Sequence, residues 1–303
     1  MRHLGFLIHL MLLFLAVEVS AQTTFKVFYL GGQSNMDGYG YNKELPDSLN
    51  APVKGVYIFH GNPAADNAAV DGRGVWTELR PGHGVGFGSD GTTNKYSDRF
   101  GVELTFARRL KALFPNDNIA IIKYSRGGSS IDMEAAAEFG CWDPDFQVGN
   151  GVNQYDHCLN AIRIALGTTD IDGDGKTDQL VPAGIVWMQG ESDAAHGAQI
   201  AFRYLRNLQR LMELLRAALH ADDLPVVLGR ISDSGRDLRD GLVWDHGAVV
   251  RAAQAAFANS DRHAALVTST DGYAYSDNWH YNSAGYLDLG VQFAEAMAKL
   301  MKK

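Results

Sequence analysis

The chain repeats one local pattern: a short run rich in β-branched and aromatic residues, closed by Gly, Ser or Asn, then a longer stretch with helical periodicity. The short runs are Phe25 to Leu30, Val53 to Phe59, Asn118 to Tyr124, Ala183 to Met188, Pro225 to Ile231 and Ala264 to Thr268, and their composition predicts buried strands. Between most of them apolar residues recur every three or four positions. Examples are Val102, Leu104, Phe106, Leu110 and Leu113 before Pro115, and Leu205, Leu208, Met212, Leu215 and Leu219. Helices are therefore expected over Val102 to Phe114, Phe202 to Leu219, Val249 to Phe257 and Ala284 to Met301. Strand and helix in alternation bury their apolar faces together in a parallel sheet covered on both sides, the doubly wound α/β architecture. In such a sheet the ligand crevice lies beyond the carboxyl ends of the strands, so the chemistry is sought where each run stops.

The first 21 residues stand apart from this pattern. Arg2 and His3, the apolar run Leu4 to Val17, and Val19-Ser20-Ala21 have the layout of a secretory signal peptide. The apolar run is shorter than the ~20 residues a bilayer span requires. Export to the periplasm or the exterior is the expectation, with residues 22–303 forming a single domain. No cysteine follows the expected cut to carry a lipid, and no later stretch is long and apolar enough to span, so no stable membrane association is expected. The 27 Lys and Arg against 35 Asp and Glu leave a net charge of −8 without basic runs, which disfavours nucleic acid and anionic membrane as partners. Cys141 and Cys158 are the two cysteines, and in an oxidising compartment they are expected to close a disulfide that steadies the segment around Trp142. Chain entropy gives such a bridge ~3 kcal/mol; the alternative is two reduced thiols.

Three predicted strands run into residues that suit ester chemistry. The first ends in Gly31-Gly32-Gln33-Ser34-Asn35-Met36, delivering a serine hydroxyl at a strand end with glycines clearing its approach. The third ends in Tyr124-Ser125-Arg126-Gly127-Gly128-Ser129-Ser130, where a glycine pair can present an N–H to a developing oxyanion. The fourth ends in Trp187-Met188-Gln189-Gly190-Glu191-Ser192-Asp193, where Gln189 offers an amide donor. Near the chain's end, Ser276-Asp277-Asn278-Trp279-His280 places an Asp three residues before a His, so that one turn supplies a base and the carboxylate that orients it. Each segment alone is as well explained by a turn or a helix cap.

Together, in this order and spacing, the four segments resemble the SGNH hydrolases, and within them the branch of sialate O-acetylesterases and acetyl xylan esterases. The resemblance spans nearly all of the chain after residue 21. It implies a three-layer α/β/α sandwich around a mostly parallel, five-stranded, flavodoxin-like sheet, and removal of O-acetyl groups from carbohydrate through an acetyl-enzyme. By the same resemblance Ser34 would be the nucleophile, His280 the general base and then acid, and Asp277 its orienting carboxylate. The backbone N–H of Ser34, that of Gly127 or Gly128, and the amide of Gln189 would form the oxyanion hole. Glu191 and Asp193 would support their loop. Neither a redox cofactor nor a catalytic metal is implied. Asp37 departs from the small or apolar residue common there in relatives; it would either face the site, favouring the imidazolium of His280, or cap the following turn. The Gly-rich stretch from Gly61 to Ser97 reads as a long loop, of a length that is usually functional or mobile.

A second candidate site is Asp170-Ile171-Asp172-Gly173-Asp174-Gly175-Lys176-Thr177-Asp178. Carboxylates at alternate positions, a central glycine, and the backbone carbonyl of Lys176 match an EF-hand-type calcium loop up to position 12, which is Val181 rather than Glu. A structural Ca²⁺ is expected there; the alternative is a solvated acidic turn. Two rival functions remain: a lipase- or thioesterase-like SGNH hydrolase, disfavoured by Gly-Gln-Ser in place of Gly-Asp-Ser, and a noncatalytic, calcium-dependent carbohydrate-binding module, which leaves Ser34, Asp277 and His280 unexplained.

Overall fold

Seven strands make the central sheet in the computed structural model, which describes residues 22–64, 68–147 and 152–302. They are β1 (Thr24–Gly32), β2 (Val56–His60), β3 (Trp76–Glu78), β4 (Asn118–Ser125), β5 (Gln179–Met188), β6 (Val226–Gly229) and β7 (Ala264–Val267). The expected signal segment lies outside the described residues. Across the sheet the order is β7-β6-β5-β1-β4-β2-β3. All neighbours run parallel except the edge strand β3, which is antiparallel to β2. The five-stranded flavodoxin-like order is contained within it as β4-β1-β5-β6-β7. The two further strands come from the chain between β1 and β4, where Val56–His60 extends the sheet and Trp76–Glu78 covers its open edge.

The central strand β1 is apolar on both faces, as a strand with helices above and below must be. Its neighbour β5 carries Pro182, which lacks a ladder N–H, and the pairing register shifts by one residue between Val27 and Phe28 to accommodate it.

The helices are α1 (Ser34–Asp37), α2 (Glu103–Leu113), α3 (Gln154–Gly167), α4 (Glu191–Ala195), α5 (Ala198–Ala218), α6 (Gly247–Ser260) and α7 (Ser283–Met301). On the Phe28 face, α2 and α7 pack against each other, and Phe106 meets Phe28 edge-on at 5.5 Å. The two helices approach backbone to backbone, because a Cβ at Gly290 would lie 2.1 Å from Thr105 Oγ1 and 2.4 Å from the Val102 carbonyl. On the opposite face Tyr29 accepts a hydrogen bond from Cys158 of α3 at 3.0 Å. Tyr204 of α5 donates to the Gln189 carbonyl at 2.8 Å, and Gln254 of α6 donates to the same carbonyl and to that of Gly229. Helix α3 carries a weak apolar stripe of Tyr155, Cys158, Ile162 and Ala165 diluted by polar residues, and it is fixed by its cap, Asn153 accepting from Asp156 N.

The Gly-rich stretch is more ordered than a plain loop. It contributes β3 and a two-residue antiparallel pairing of Gly88–Ser89 with Asn94–Lys95. Lys123 of β4, fully buried, pins it to the sheet by donating to the His83 carbonyl at 2.7 Å, the Asp37 carbonyl at 2.9 Å and Glu103 Oε2 at 2.7 Å. Removing one partner of so buried an ion pair typically costs ~3–5 kcal/mol.

The expected disulfide is corrected by the structure: Cys141 and Cys158 are free, buried thiols. Cys158 lies under the sheet with its thiol on Tyr29, whereas Cys141 sits in a bridge with Ser130 and Asn153 and accepts the N–H of Asp143 at 3.3 Å. Each sulfur is therefore engaged by a different neighbour. Burial pushes both thiols up to about 12. The native protein is therefore expected to leave a disulfide-exchange reagent unreacted, and the protein unfolded without reductant to release two thiols per chain; fewer than two would restore the bridge.

Candidate active site

Three strand ends finish level with one another. Gly31 and Gly32 of β1 pair with Tyr124 and Ser125 of β4 on one side and with Trp187 and Met188 of β5 on the other. Gly32 lies at φ +141°, and a Cβ there would meet the Met188 carbonyl oxygen at 1.9 Å, so only glycine lets the chain turn at this point. The turn is closed by Gln33 N donating to the Met188 carbonyl at 2.9 Å, and by Met36 N and Asp37 N donating to the Gln33 carbonyl. Ser34 opens α1 in the wall of a cavity of about 750 Å³, with Gly127, Gly128 and His280 in the same wall. The N–H of Ser34 has no acceptor among the described residues.

The histidine arrives from the loop before α7. Asp277 Oδ1 accepts the N–H groups of Trp279 and His280 at 2.7 Å each, and its Oδ2 takes His280 Nδ1 at 2.7 Å. With Nδ1 as donor to the carboxylate, Nε2 is left as the proton acceptor. Burial works to raise the Asp277 pKa, but the hydrogen bonds from the His280 ring and from the Trp279 and His280 backbone outweigh it and hold the carboxyl below its usual range. The imidazole is clamped by Tyr39, stacked on it at 3.5 Å between centroids and 6° between planes. Arg236 fixes the loop from outside through the carbonyls of Asp277 and Tyr275, 3.0 Å each. Sequence reasoning missed Tyr39 and Arg236; neither sits in a pattern that marks it.

Buried polar side chains tie these segments together. Asn35 donates to Glu191 Oε1 at 2.8 Å and to the Trp279 carbonyl at 3.2 Å, and accepts from the Tyr286 hydroxyl at 2.7 Å. One amide thus joins the first, third and fourth motifs. Asp193 accepts from Ile131 N, Asp132 N and Gln189 Nε2, which joins the second motif to the third. These are the supporting contacts expected of Glu191 and Asp193.

Of the residues proposed for the oxyanion hole, the structure brings Ser34, Gly127 and Gly128 into the cavity wall but not Gln189. Gln189 is fully buried, its two amide protons are held by Asp193 Oδ2 at 2.6 Å and the Ser129 carbonyl at 3.3 Å, and its Oε1 accepts from Tyr204 at 3.1 Å. Asp37 does face this region: its Oδ2 would lie 3.2 Å from a Cβ at Gly127, which itself would lie 3.4 Å from Ser34 Cβ. Burial raises the Asp37 pKa, opposed by Ser125, Lys123, Arg126 and the Gly127 N–H.

At the distant acidic loop, carboxylate oxygens of Asp170, Asp172 and Asp174 lie within 4.8 Å of one another. Asp170 accepts from Gly173 N and Gly175 N, Asp172 from Asp174 N, Asp174 from Lys176 N, and Asp178 Oδ2 from Ile171 N.

Burial pushes Asp193 up to about 7 against its three N–H donors. An acid whose native pKa is raised holds its proton more tightly when folded, so its stabilising contribution is full below pH ~4 and is lost as pH rises through about 7. Asp193→Asn turns an NH₂ toward Ile131 N or Asp132 N and should cost ~1–3 kcal/mol in urea unfolding. That difference from wild type should shrink as pH rises across this window; a deficit that grows with pH would contradict the assignment.

The residues 24–299 match the family model described as carbohydrate esterase, sialic acid-specific acetylesterase. Among curated proteins no sequence match is found. Similar solved structures include a protein of Arabidopsis thaliana (20% identity, 92% of this chain and 99% of that one, TM-score 0.60). Others are a carbohydrate acetylesterase from Xanthomonas citri (17%, 91% and 57%, TM-score 0.61) and NanS (17%, 94% and 99%, TM-score 0.58). At these identities the likeness speaks to the fold, whereas the family match spans nearly the whole described chain. The chain belongs to the carbohydrate esterase, sialic acid-specific acetylesterase family, whose chemistry is the hydrolysis of O-acetyl esters on carbohydrate.

Proposed function

We propose that this carbohydrate O-acetylesterase works through an acetyl-enzyme on Ser34, with His280 as general base and acid and Asp277 as its orienting carboxylate. The observation that supports this most is the 2.7 Å contact between His280 Nδ1 and Asp277, made in the wall of the cavity that also holds Ser34. His280 Nε2 takes the Ser34 proton as Oγ attacks the acetyl carbonyl. The tetrahedral oxyanion is stabilised by N–H groups at the ends of β1 and β4. The C–O bond to the sugar breaks as His280 returns the proton to the departing hydroxyl, and water then attacks the acetyl-enzyme by the same route in reverse.

The walls suit a sugar. Tyr39, Phe87, Phe139, Trp244 and Trp279 surround the site, and Trp279 and Phe139 stand partly exposed at its lip. Aromatic faces pack on the C–H faces of pyranose rings while leaving the polar edges to hydrogen bonds.

We also propose that the protein is exported, on the strength of residues 1–21. For the 170–178 loop the proposal is a structural Ca²⁺ held by Asp170, Asp172, Asp174 and Asp178 with the carbonyl of Lys176. The oxygens that converge are those of Asp170, Asp172 and Asp174; Asp178 stands outside that group, with its Oδ1 buried and without a protein partner. The cation would neutralise like charges just before β5 and has no part in the reaction.

Ser34→Ala should abolish hydrolysis of 4-nitrophenyl acetate and acetate release from acetylated glycans while leaving the melting temperature near wild type. Retained turnover would remove the nucleophile assignment. A panel of O-acetylated sialic acids, acetylated xylan and other acetylated polysaccharides, assayed for acetate, identifies the glycan, and no release from any of them would count against a carbohydrate substrate. Chelation with EGTA is expected to lower the melting temperature, restored by added Ca²⁺, without changing turnover below the transition; an unchanged melt argues for a solvated acidic turn.

A further inference from the structure

We propose that Gln33 supplies the side-chain N–H of the oxyanion hole, the place that the family pattern would give to Gln189. The inference rests on the reading of Ser34 as nucleophile and concerns which donors meet the charge that develops beside it. Gln189 has no donor to give: both of its amide protons are held by Asp193 and the Ser129 carbonyl, and no part of it reaches the cavity. Turning its amide over would set Oε1 against the Ser129 carbonyl and against an Asp193 oxygen that already accepts from Ile131 N, so its orientation is fixed by its partners.

Gln33 has the opposite arrangement. It adjoins Ser34, lines the cavity and is held from behind, its Oε1 accepting from Gly190 N at 3.2 Å and Ser192 N at 3.4 Å. Those two N–H donors determine which end of the amide is oxygen. The Nε2 group has no acceptor among the described residues, nor is it one of the buried atoms left without a partner. An NH₂ so placed, preorganised by an oxygen it cannot turn away from and open on the cavity side, is the kind of donor that stabilises charge without reorganising as it forms.

The contacts also explain how the third motif takes part without supplying an oxyanion donor. Gly190 and Ser192 hold Gln33, Ser192 Oγ donates to the Gly128 carbonyl at 2.8 Å, and Gln189 and Asp193 hold the segment after Ser129. The strand β5 therefore positions the donors on β1 and β4 and contributes none itself.

The test compares Gln33→Glu, Gln33→Met and Gln189→Met with wild type on 4-nitrophenyl acetate and its thionoacetate analogue. Gln33→Glu keeps an acceptor for Gly190 and Ser192 but replaces the donor with an oxygen. It should lower kcat by ~10²–10³ with KM little changed. Because a thiocarbonyl is a poor hydrogen-bond acceptor, the preference of wild type for the oxygen ester should also shrink in both Gln33 variants, a change that a merely structural role would not produce. Gln189→Met should keep that preference and lose stability instead. Either Gln33 variant, folded by circular dichroism and with kcat within a few-fold of wild type, overturns the inference, as does a loss of ester preference confined to Gln189→Met. If Gln33→Glu does not fold, Gln33→Met carries the test. Ser34→Ala separates the two levels: an active Ser34→Ala removes the nucleophile reading, whereas an inactive Ser34→Ala beside active Gln33 variants removes only this inference.

Discussion

The site depends on β1 pairing in one register with both β4 and β5, so that three strand ends stop at the same height. A slip of one residue would exchange the faces of β1 and carry Ser34 away from Gly127 and from the loop that bears His280. Gly32 locks the register at its last step, because the Met188 carbonyl occupies the space where any side chain would begin and bonds Gln33 N. The turn that presents the hydroxyl is thus a consequence of backbone contact across the sheet, and the serine needs no strain of its own.

Around this apex the protein uses buried polar groups where a simple core would use apolar ones. Lys123 with Glu103 fixes the loop above the site, Asn35 with Glu191 fixes the histidine loop, and Asp193 fixes the segment after β4. Buried charges cost solvation, and Glu191 and Asp193 show it in pKa values raised chiefly by burial. What these groups provide is direction: each accepts or donates at fixed angles to two or more segments distant in sequence. A catalytic wall built from four separate loops needs that more than it needs the last increment of stability.

The fold and the Asp277–His280 contact were legible because their signals are local. Strand runs such as Phe25 to Leu30 and helical stripes such as that of α5 identify themselves by period, and Asp277 and His280 lie three residues apart, so one turn brings them together. The edge strand β3 and helix α3 were not legible, the first being three residues inside a Gly-rich stretch and the second having its apolar stripe interrupted. Cys141 and Cys158 show the limit of spacing arguments: the separation suits a bridge, but one sulfur accepts the Asp143 N–H and the other rests on Tyr29. Gln189 is of the same kind: its place in the motif points to the site, but its amide protons are held by buried partners that only the structure reveals.

On the proposed mechanism, Ser34 carries the acetyl group in a step driven by His280. Rapid quenching during turnover of 4-nitrophenyl acetate, followed by peptide mapping with mass spectrometry, tests it directly. One acetyl group should appear on the peptide containing Ser34, accumulating in wild type and absent from His280→Ala. An acetyl group on any other residue, or full labelling of Ser34 without His280, would contradict the arrangement described.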